Sequence, residues 1–198
     1  MHALIVISHP AQDSLTHQVA AELAKGIAGN GAHHTFEIAD LTAEGFDPSF
    51  SAHDLEQFRH PTQPAADILA EQARLDRADA LVLVYPVYWW SFPALLKGWI
   101  DRVFTNGWAY DETSGGLLQR LPVHLIGLGA SGKPTYDKHG YSAAIKTQIE
   151  HGIFNYCSAP VASATLLTEA DKGFPQAHFE TAGQIGRDLF SQAVQETR

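Results

Sequence analysis

Aromatic side chains crowd one short stretch of this sequence beyond what a packed core requires. Tyr85-Pro86-Val87-Tyr88-Trp89-Trp90-Ser91-Phe92-Pro93 follows directly on an apolar run, residues 80–85 (ALVLVY). Rings at the carboxyl end of a buried strand have no core left to fill on that side. A planar ligand would supply the missing packing partner, and a subunit interface built from the same rings is the competing reading.

A second stretch, Gly127-Leu128-Gly129-Ala130-Ser131-Gly132-Lys133-Pro134, carries three motif-like spacings. Its first six residues match G-x-G-x-x-G. A dinucleotide fingerprint needs a helix that starts inside the motif, so that its N-terminus meets the pyrophosphate. Here regular helical spacing resumes only at Tyr141, and the match falls in the fourth strand-to-helix unit rather than the first. Gly127 to Lys133 also fits the body of a P-loop, but the Mg²⁺-binding Ser or Thr is replaced by Pro134. Gly129 to Lys133 outlines a nucleophile elbow with lysine where glycine is required. What survives is a glycine-rich strand end that lets a flat ligand approach the backbone closely.

The elements that must position these residues alternate between strand and helix. Residues 3–8 (ALIVIS) form a continuous apolar run, as expected of a strand covered on both faces. Asp13 and Ser14 offer N-caps to a helix in which Leu15, Val19, Leu23 and Ile27 recur every four residues, closed by Gly29-Asn30-Gly31. Residues 34–39 read as an outer strand, 40–63 as a long loop with one short helix near 52–58, and 65–77 as a helix. After the strand at 80–85, residues 91–104 give the clearest helix, with Pro93 in its first turn and Lys97 and Asp101 paired on the polar face. A strand at 123–128 precedes a polar loop at 129–140. Tyr141, Ile145, Ile149, Ile153 and Tyr156 then mark a helical stripe. A strand at 161–167 and a helix at 176–195, with Phe179, Ala182, Leu189 and Phe190 inward, close the chain. This alternation predicts one α/β domain over residues 1–198: a flavodoxin-like, doubly wound, five-stranded parallel sheet of order 2-1-3-4-5. Ligands in such sheets sit beyond the carboxyl ends of the strands, near the loops that begin at His9, Tyr85 and Leu128.

Composition narrows the classes. A net charge of −9 lacks the basic stripe that nucleic-acid binding needs, although 11 histidines and 13 Lys and Arg could still build a local positive pocket. Cys157 is the single cysteine, in apolar surroundings, and reads as a small buried hydrophobe. The first apolar run, residues 3–7, is too short for a signal peptide, and no stretch approaches a membrane span, so a cytoplasmic protein without membrane insertion is expected. No metal ligand set is assigned.

The chain resembles the NAD(P)H:quinone oxidoreductase family. The resemblance rests on Tyr85-Pro86-Val87-Tyr88-Trp89-Trp90, on residues 92–104 (FPALLKGWIDRVF), on Ala70-Glu71-Gln72 and on Trp108-Ala109-Tyr110, in the right order and spacing from Ala3 to about Cys157. It implies that His9, Leu15 and Thr16 hold the phosphate and adenosine side of a flavin, with Ser14 beside them. A helix N-terminus suits that anion, although Ser14 could serve only as an N-cap and His9 as a turn residue. Gln72 matches a cofactor-contacting position, though alone it reads as a solvated helix residue. Pro86, Val87, Tyr88, Trp89 and Trp90 match the segment along the isoalloxazine ring. Leu128, Gly129, Ala130 and Ser131 match the second flavin-side loop, where the family commonly has Thr-Thr-Gly-Gly. Tyr136 matches a tyrosine implicated in hydride transfer, and His139 is the nearest candidate for its histidine partner. Trp108, Ala109 and Tyr110 match a patch that walls the acceptor site across a homodimer interface.

The implied function is two-electron transfer from NAD(P)H, through N5 of the flavin, to a quinone or similarly flat, electron-poor acceptor. One shared site gives ping-pong kinetics. The match at His9 and Gln72 favours FAD, with FMN the alternative. Two other roles fit the sequence: a regulatory flavin-binding ancillary subunit of a membrane transport system, and, less well, a flavodoxin-type electron carrier.

Overall fold

The computed structural model describes residues 1–31, 33–60, 62–111 and 116–191. Five strands, β1 (His2–Ile7), β2 (Thr35–Asp40), β3 (Ala80–Pro86), β4 (Val123–Gly129) and β5 (Val161–Thr168), form one sheet of order β2-β1-β3-β4-β5. Every pairing is parallel. The chain runs from β1 out to β2, then returns past β1 to β3 and continues outward. The order therefore reverses between β1 and β3, which opens a crevice at their carboxyl ends.

Burial explains the sequence pattern. β3 and β4 are buried along almost their whole length, as is β1 after its first residue, because helices cover both faces. β2 and β5 are edges. In β2 only Ala39 is buried, and Phe36 and Ile38 stand exposed. The helices are α1 (Leu15–Gly29), α2 (Ala52–Arg59), α3 (Ala66–Arg77), α4 (Ala94–Val103), α5 (Lys133–His139), α6 (Tyr141–Ile145) and α7 (Gln176–Asp188). A 3₁₀ turn spans Leu117–Arg120, and a π-helical segment, Lys146–Asn155, continues α6. Residues of α1 and α7 pack over Ile5, Ile7, Val82 and Val84. Residues of α3, α4 and the π segment pack over Leu4, Val6, Leu81 and Leu83 on the other face.

α1 and α7 meet at glycines. A Cβ on Gly26 would lie 2.3 Å from the Gly183 carbonyl oxygen, and one on Gly186 would lie 2.2 Å from the Leu23 carbonyl oxygen. The two backbones come that close only without side chains in between. This contact carries the start of α7 up beside the start of α1.

Three sequence expectations need correction. The region read as a polar loop, 129–140, contains α5, with Pro134 in its first turn. Seven residues are too few for periodicity to register, and Pro134 suits the first turn of a helix. A helix does therefore follow Gly132, so the G-x-G-x-x-G match fails only on its place in the fold. The helix read from Ser91 begins at Ala94, because Ser91 is tied back to Tyr88 and Pro93 is the cap. The stripe from Tyr141 to Tyr156 coils as α6 and then as the π segment, and Tyr156 ends up exposed instead of inward. The last part of the predicted closing helix, residues 192–195, lies outside the described residues.

Candidate active site

One wall of the crevice is the start of α1. Ser14 is its N-cap and accepts from the His17 amide at 3.4 Å. The first amides of a helix have no intrahelical acceptor, so those of Leu15 and Thr16 are free to meet an anion. No acidic side chain in the first turn opposes that charge. The Ala11 amide lies 3.0 Å from His9 Nδ1, and the Ala11 carbonyl lies 3.2 Å from the same nitrogen, so His9 is held against its own turn. Ser14 Oγ lies 2.8 Å from His17 Nδ1, and His17 Nε2 lies 2.8 Å from Asp40 Oδ2. Asp40 is held below the usual carboxylate range: hydrogen bonds and charge from His17, with the Ala43 and Thr42 amides, outweigh the opposing effect of burial.

The opposite wall comes from the ends of β3 and β4. The Val87 amide donates to the Leu128 carbonyl at 2.8 Å, and the Glu169 amide to the Gly129 carbonyl at 3.1 Å, so these carbonyls are already engaged. Beyond Val87 the chain makes a tight turn: Tyr88 and Ser91 exchange backbone hydrogen bonds of 3.1 and 3.0 Å. Trp89 and Trp90 occupy its two central positions at φ 50° and 60°. Bulky residues seldom adopt that left-handed conformation, and each costs about 1–2 kcal/mol there.

The cleft between these walls has a volume of about 200 Å³. It gathers nine of the residues singled out from the sequence: His9, Leu15, Thr16, Pro86, Val87, Tyr88, Leu128, Gly129 and Ala130. Ser14 and Ser131 flank this set in sequence without lining the cleft. Leu167, Glu169 and His178 complete the lining and were missed. The first two follow from strand order, since β5 ends beside β4. His178 carries no local signal among 11 histidines. It is 1% exposed, and its Nε2 has no hydrogen-bond partner among the described residues.

Other expected residues lie elsewhere. Gln72 is buried, not solvated, and donates from Nε2 to the Val103 carbonyl and to Thr105 Oγ1, both at 2.9 Å. It ties α3 to the end of α4 and takes no part in the cleft lining. The aromatic stretch is divided between core and surface. Tyr85 and Phe92 pack edge to face at 4.6 Å inside the core, contrary to the idea that these rings lack one. Trp90 stacks on Tyr141 at 3.8 Å, and Trp89 is 94% exposed. The cleft thus lies between the start of α1 and the joined strand ends Pro86–Tyr88 and Leu128–Ala130, and the tryptophan pair does not line it. Ala109 is fully buried and Trp108 is packed against the core. Tyr110 lines a separate apolar groove of about 460 Å³ with Phe50, Leu55, Phe58 and Tyr156.

Tyr136 and His139 are not a hydrogen-bonded pair among the contacts of the described residues. His139 is exposed and stacks on Tyr141 at 5.4 Å. Tyr136 is 1% exposed, and burial pushes its phenol above the ordinary value. A Cβ on Gly129 would fall 2.5 Å from Tyr136 Oη. The hydroxyl therefore sits directly behind Gly129, one residue's thickness from the cleft. Behind this wall a smaller cavity of about 140 Å³ is lined by Tyr85, Tyr136, Glu150 and Thr165 among others. Cys157 is buried, and its thiol is pushed up to about 11 by burial, which leaves it inert as a nucleophile. No group of three or more His, Cys, Asp or Glu among the described residues could hold a metal ion.

A crevice at a topological switch point, with a helix N-terminus at one end, is where doubly wound α/β proteins place their ligands. The family described as Flavodoxin-like fold matches residues 1–185, and the chain belongs to it. An NAD(P)H oxidoreductase of Haemophilus influenzae is 32% identical over 161 residues, covering 79% of this chain and 78% of its own. NAD(P)H dehydrogenase [quinone] 1 of Rattus norvegicus is 29% identical over 189 residues, covering 83% of this chain and 68% of its own. An NAD(P)H:quinone oxidoreductase from Methanothermobacter marburgensis superposes with a TM-score of 0.85 at 25% identity, covering 96% and 98%. The chain is an oxidoreductase.

Proposed function

We propose that the chain is a flavin-dependent NAD(P)H:quinone oxidoreductase whose cofactor lies in the cleft between α1 and the ends of β3 and β4. The observation that carries this reading is the cleft itself, lined by Gly129 and by a buried imidazole whose Nε2 has no hydrogen-bond partner among the described residues. Such a lining fits a flat ring with a long polar chain. FAD is the expected form, with FMN the alternative, and mass spectrometry of released cofactor distinguishes them.

A bound flavin supplies hydride acceptance and two-electron delivery. The chain's own residues do the rest. Leu15 and Thr16 amides would meet the phosphate, with Ser14 and His9 beside them. Pro86, Val87 and Tyr88 would lie along the ring together with Leu128, Gly129 and Ala130 on the same wall, with Ser131 next in the chain. The buried Tyr136 hydroxyl behind Gly129 would place an O–H dipole close to the ring. Trp89 and Trp90 would border the ring's outer edge, and His139 would act only from beyond Tyr141.

Homodimerisation belongs to the same reading. A cleft of about 200 Å³ is small against the ~300–1,000 Å³ of ordinary ligand sites, so a second copy would supply the missing wall. Trp108, Ala109 and Tyr110 are the proposed contribution. The exposed aromatic groove around Tyr110 and the Trp108 Nε1, which has no hydrogen-bond partner among the described residues, support this. Gel filtration at micromolar concentration is expected to give a dimer, and a monomer would contradict the shared site. No helix among the described residues is long and apolar enough to cross a membrane, in keeping with a proposed cytoplasmic setting. With NAD(P)H and a quinone sharing one site, double-reciprocal plots are expected to run parallel. Intersecting lines would overturn the shared-site mechanism.

A further inference from the structure

His178 stands at the start of α7, where the glycine contact with α1 holds it beside Thr16 in the wall of the cleft. It is 1% exposed, and Phe174 packs edge-on against its ring at 5.2 Å, which fixes the imidazole's orientation. Nε2 is buried and has no hydrogen-bond partner among the described residues. Buried polar atoms are nearly always paired, and an unpaired one opposes folding, so its place in a ligand cleft asks for an explanation from the ligand. A neutral imidazole nitrogen can accept from a hydroxyl or donate to a phosphate oxygen.

We propose that His178 is a cofactor-binding residue whose Nε2 is reserved for the oxygen-rich chain of the flavin, its ribityl hydroxyls or phosphate. This rests on the flavin reading above. The position beside the α1 N-terminus, away from the Tyr88–Ser91 turn, places the contact on the polar chain and not on the ring. Leu167 and Leu128, also in the lining, offer no hydrogen-bonding side chain, and the Glu169 carboxylate would repel a phosphate. The imidazole's polarity then serves binding and not folding. Removing it harms affinity while leaving the empty protein as stable as before, or more so.

The test measures two quantities on the same samples: thermal unfolding of flavin-free protein, and affinity for FMN, FAD and riboflavin by quenching of flavin fluorescence. For His178→Phe, affinity for FMN and FAD is expected to fall tenfold or more, with an unchanged or raised Tm for the flavin-free protein. For His178→Asn, which keeps a hydrogen-bonding group, part of the affinity is expected to return. A loss shared by riboflavin assigns the contact to the ribityl chain, and a loss confined to FMN and FAD assigns it to the phosphate; either supports the assignment. Wild-type affinity in His178→Phe overturns it. So does a Tm lowered by several degrees, or failure of both variants to fold, since the ring would then be serving the core. If the wild type itself takes up none of the three, the flavin reading has failed, and this inference with it.

Discussion

The two walls of the cleft are built on opposite terms. The α1 wall is relaxed: its cap is in place, its backbone is ordinary, and its anion site arises from the unpaired amides that begin any helix. The strand-end wall runs into the strained Tyr88–Ser91 turn, with two consecutive tryptophans in left-handed backbone and one of them 94% exposed. Strain of that kind persists only where surrounding structure imposes it, and it clusters at functional sites. The stacking of Trp90 on Tyr141 is the visible restraint. On the proposed reading, the phosphate end of the site comes with the fold, whereas the ring end is specific to this chain's chemistry.

The comparison breaks most visibly where α1 is supported. Gly186→Ala places a Cβ 2.2 Å from the Leu23 carbonyl, and the helices must separate. A loss of about 3 kcal/mol in unfolding free energy is expected, together with weaker flavin binding, because His178 moves with α7. Chemical denaturation and flavin titration check both halves.

A control lies at the far end of β4. Burial pushes His124 down to about 4, so the folded protein resists a proton that the unfolded chain accepts near 6.5. Its folded pKa is depressed, so the stabilisation is full above the unfolded value and is lost as pH falls from about 6.5 towards 4. Between pH 7 and 5 this single group is expected to remove about 2 kcal/mol. His124→Gln should flatten that slope in urea midpoints without touching either wall.

Smaller and opposite effects separate the walls themselves. Ser14→Ala removes the cap of α1 and should cost about 1 kcal/mol, a Tm lower by roughly 3 °C. Trp89→Gly relieves left-handed strain at a side chain that buries almost nothing. Its Tm is expected to hold or rise, by no more than about 1 kcal/mol in stability, while the KM for the quinone increases. A fall in Tm for Trp89→Gly would show that the turn is unstrained and remove the contrast.

Much of the α1 wall was legible in the sequence, because Ser14, the four-residue stripe and a terminal Asn-Gly are local signals. Sheet order followed from the alternation of buried runs. What escaped depended on contacts distant in sequence. Gln72 looks like a surface residue until α4 covers it, and Ser91 looks like the start of a helix until it bonds back to Tyr88. α5 is too short to show a period. His178 acquires meaning only through the glycines that bring α7 against α1.

Everything turns on whether this cleft takes up a flavin, and the most direct measurement is visible absorption of the purified chain incubated with FAD or FMN and freed of excess. A retained flavin band at one equivalent per chain, bleached anaerobically by NADH or NADPH and restored by a quinone, is the expected result. Protein that stays colourless while the flavin passes into the filtrate would contradict it.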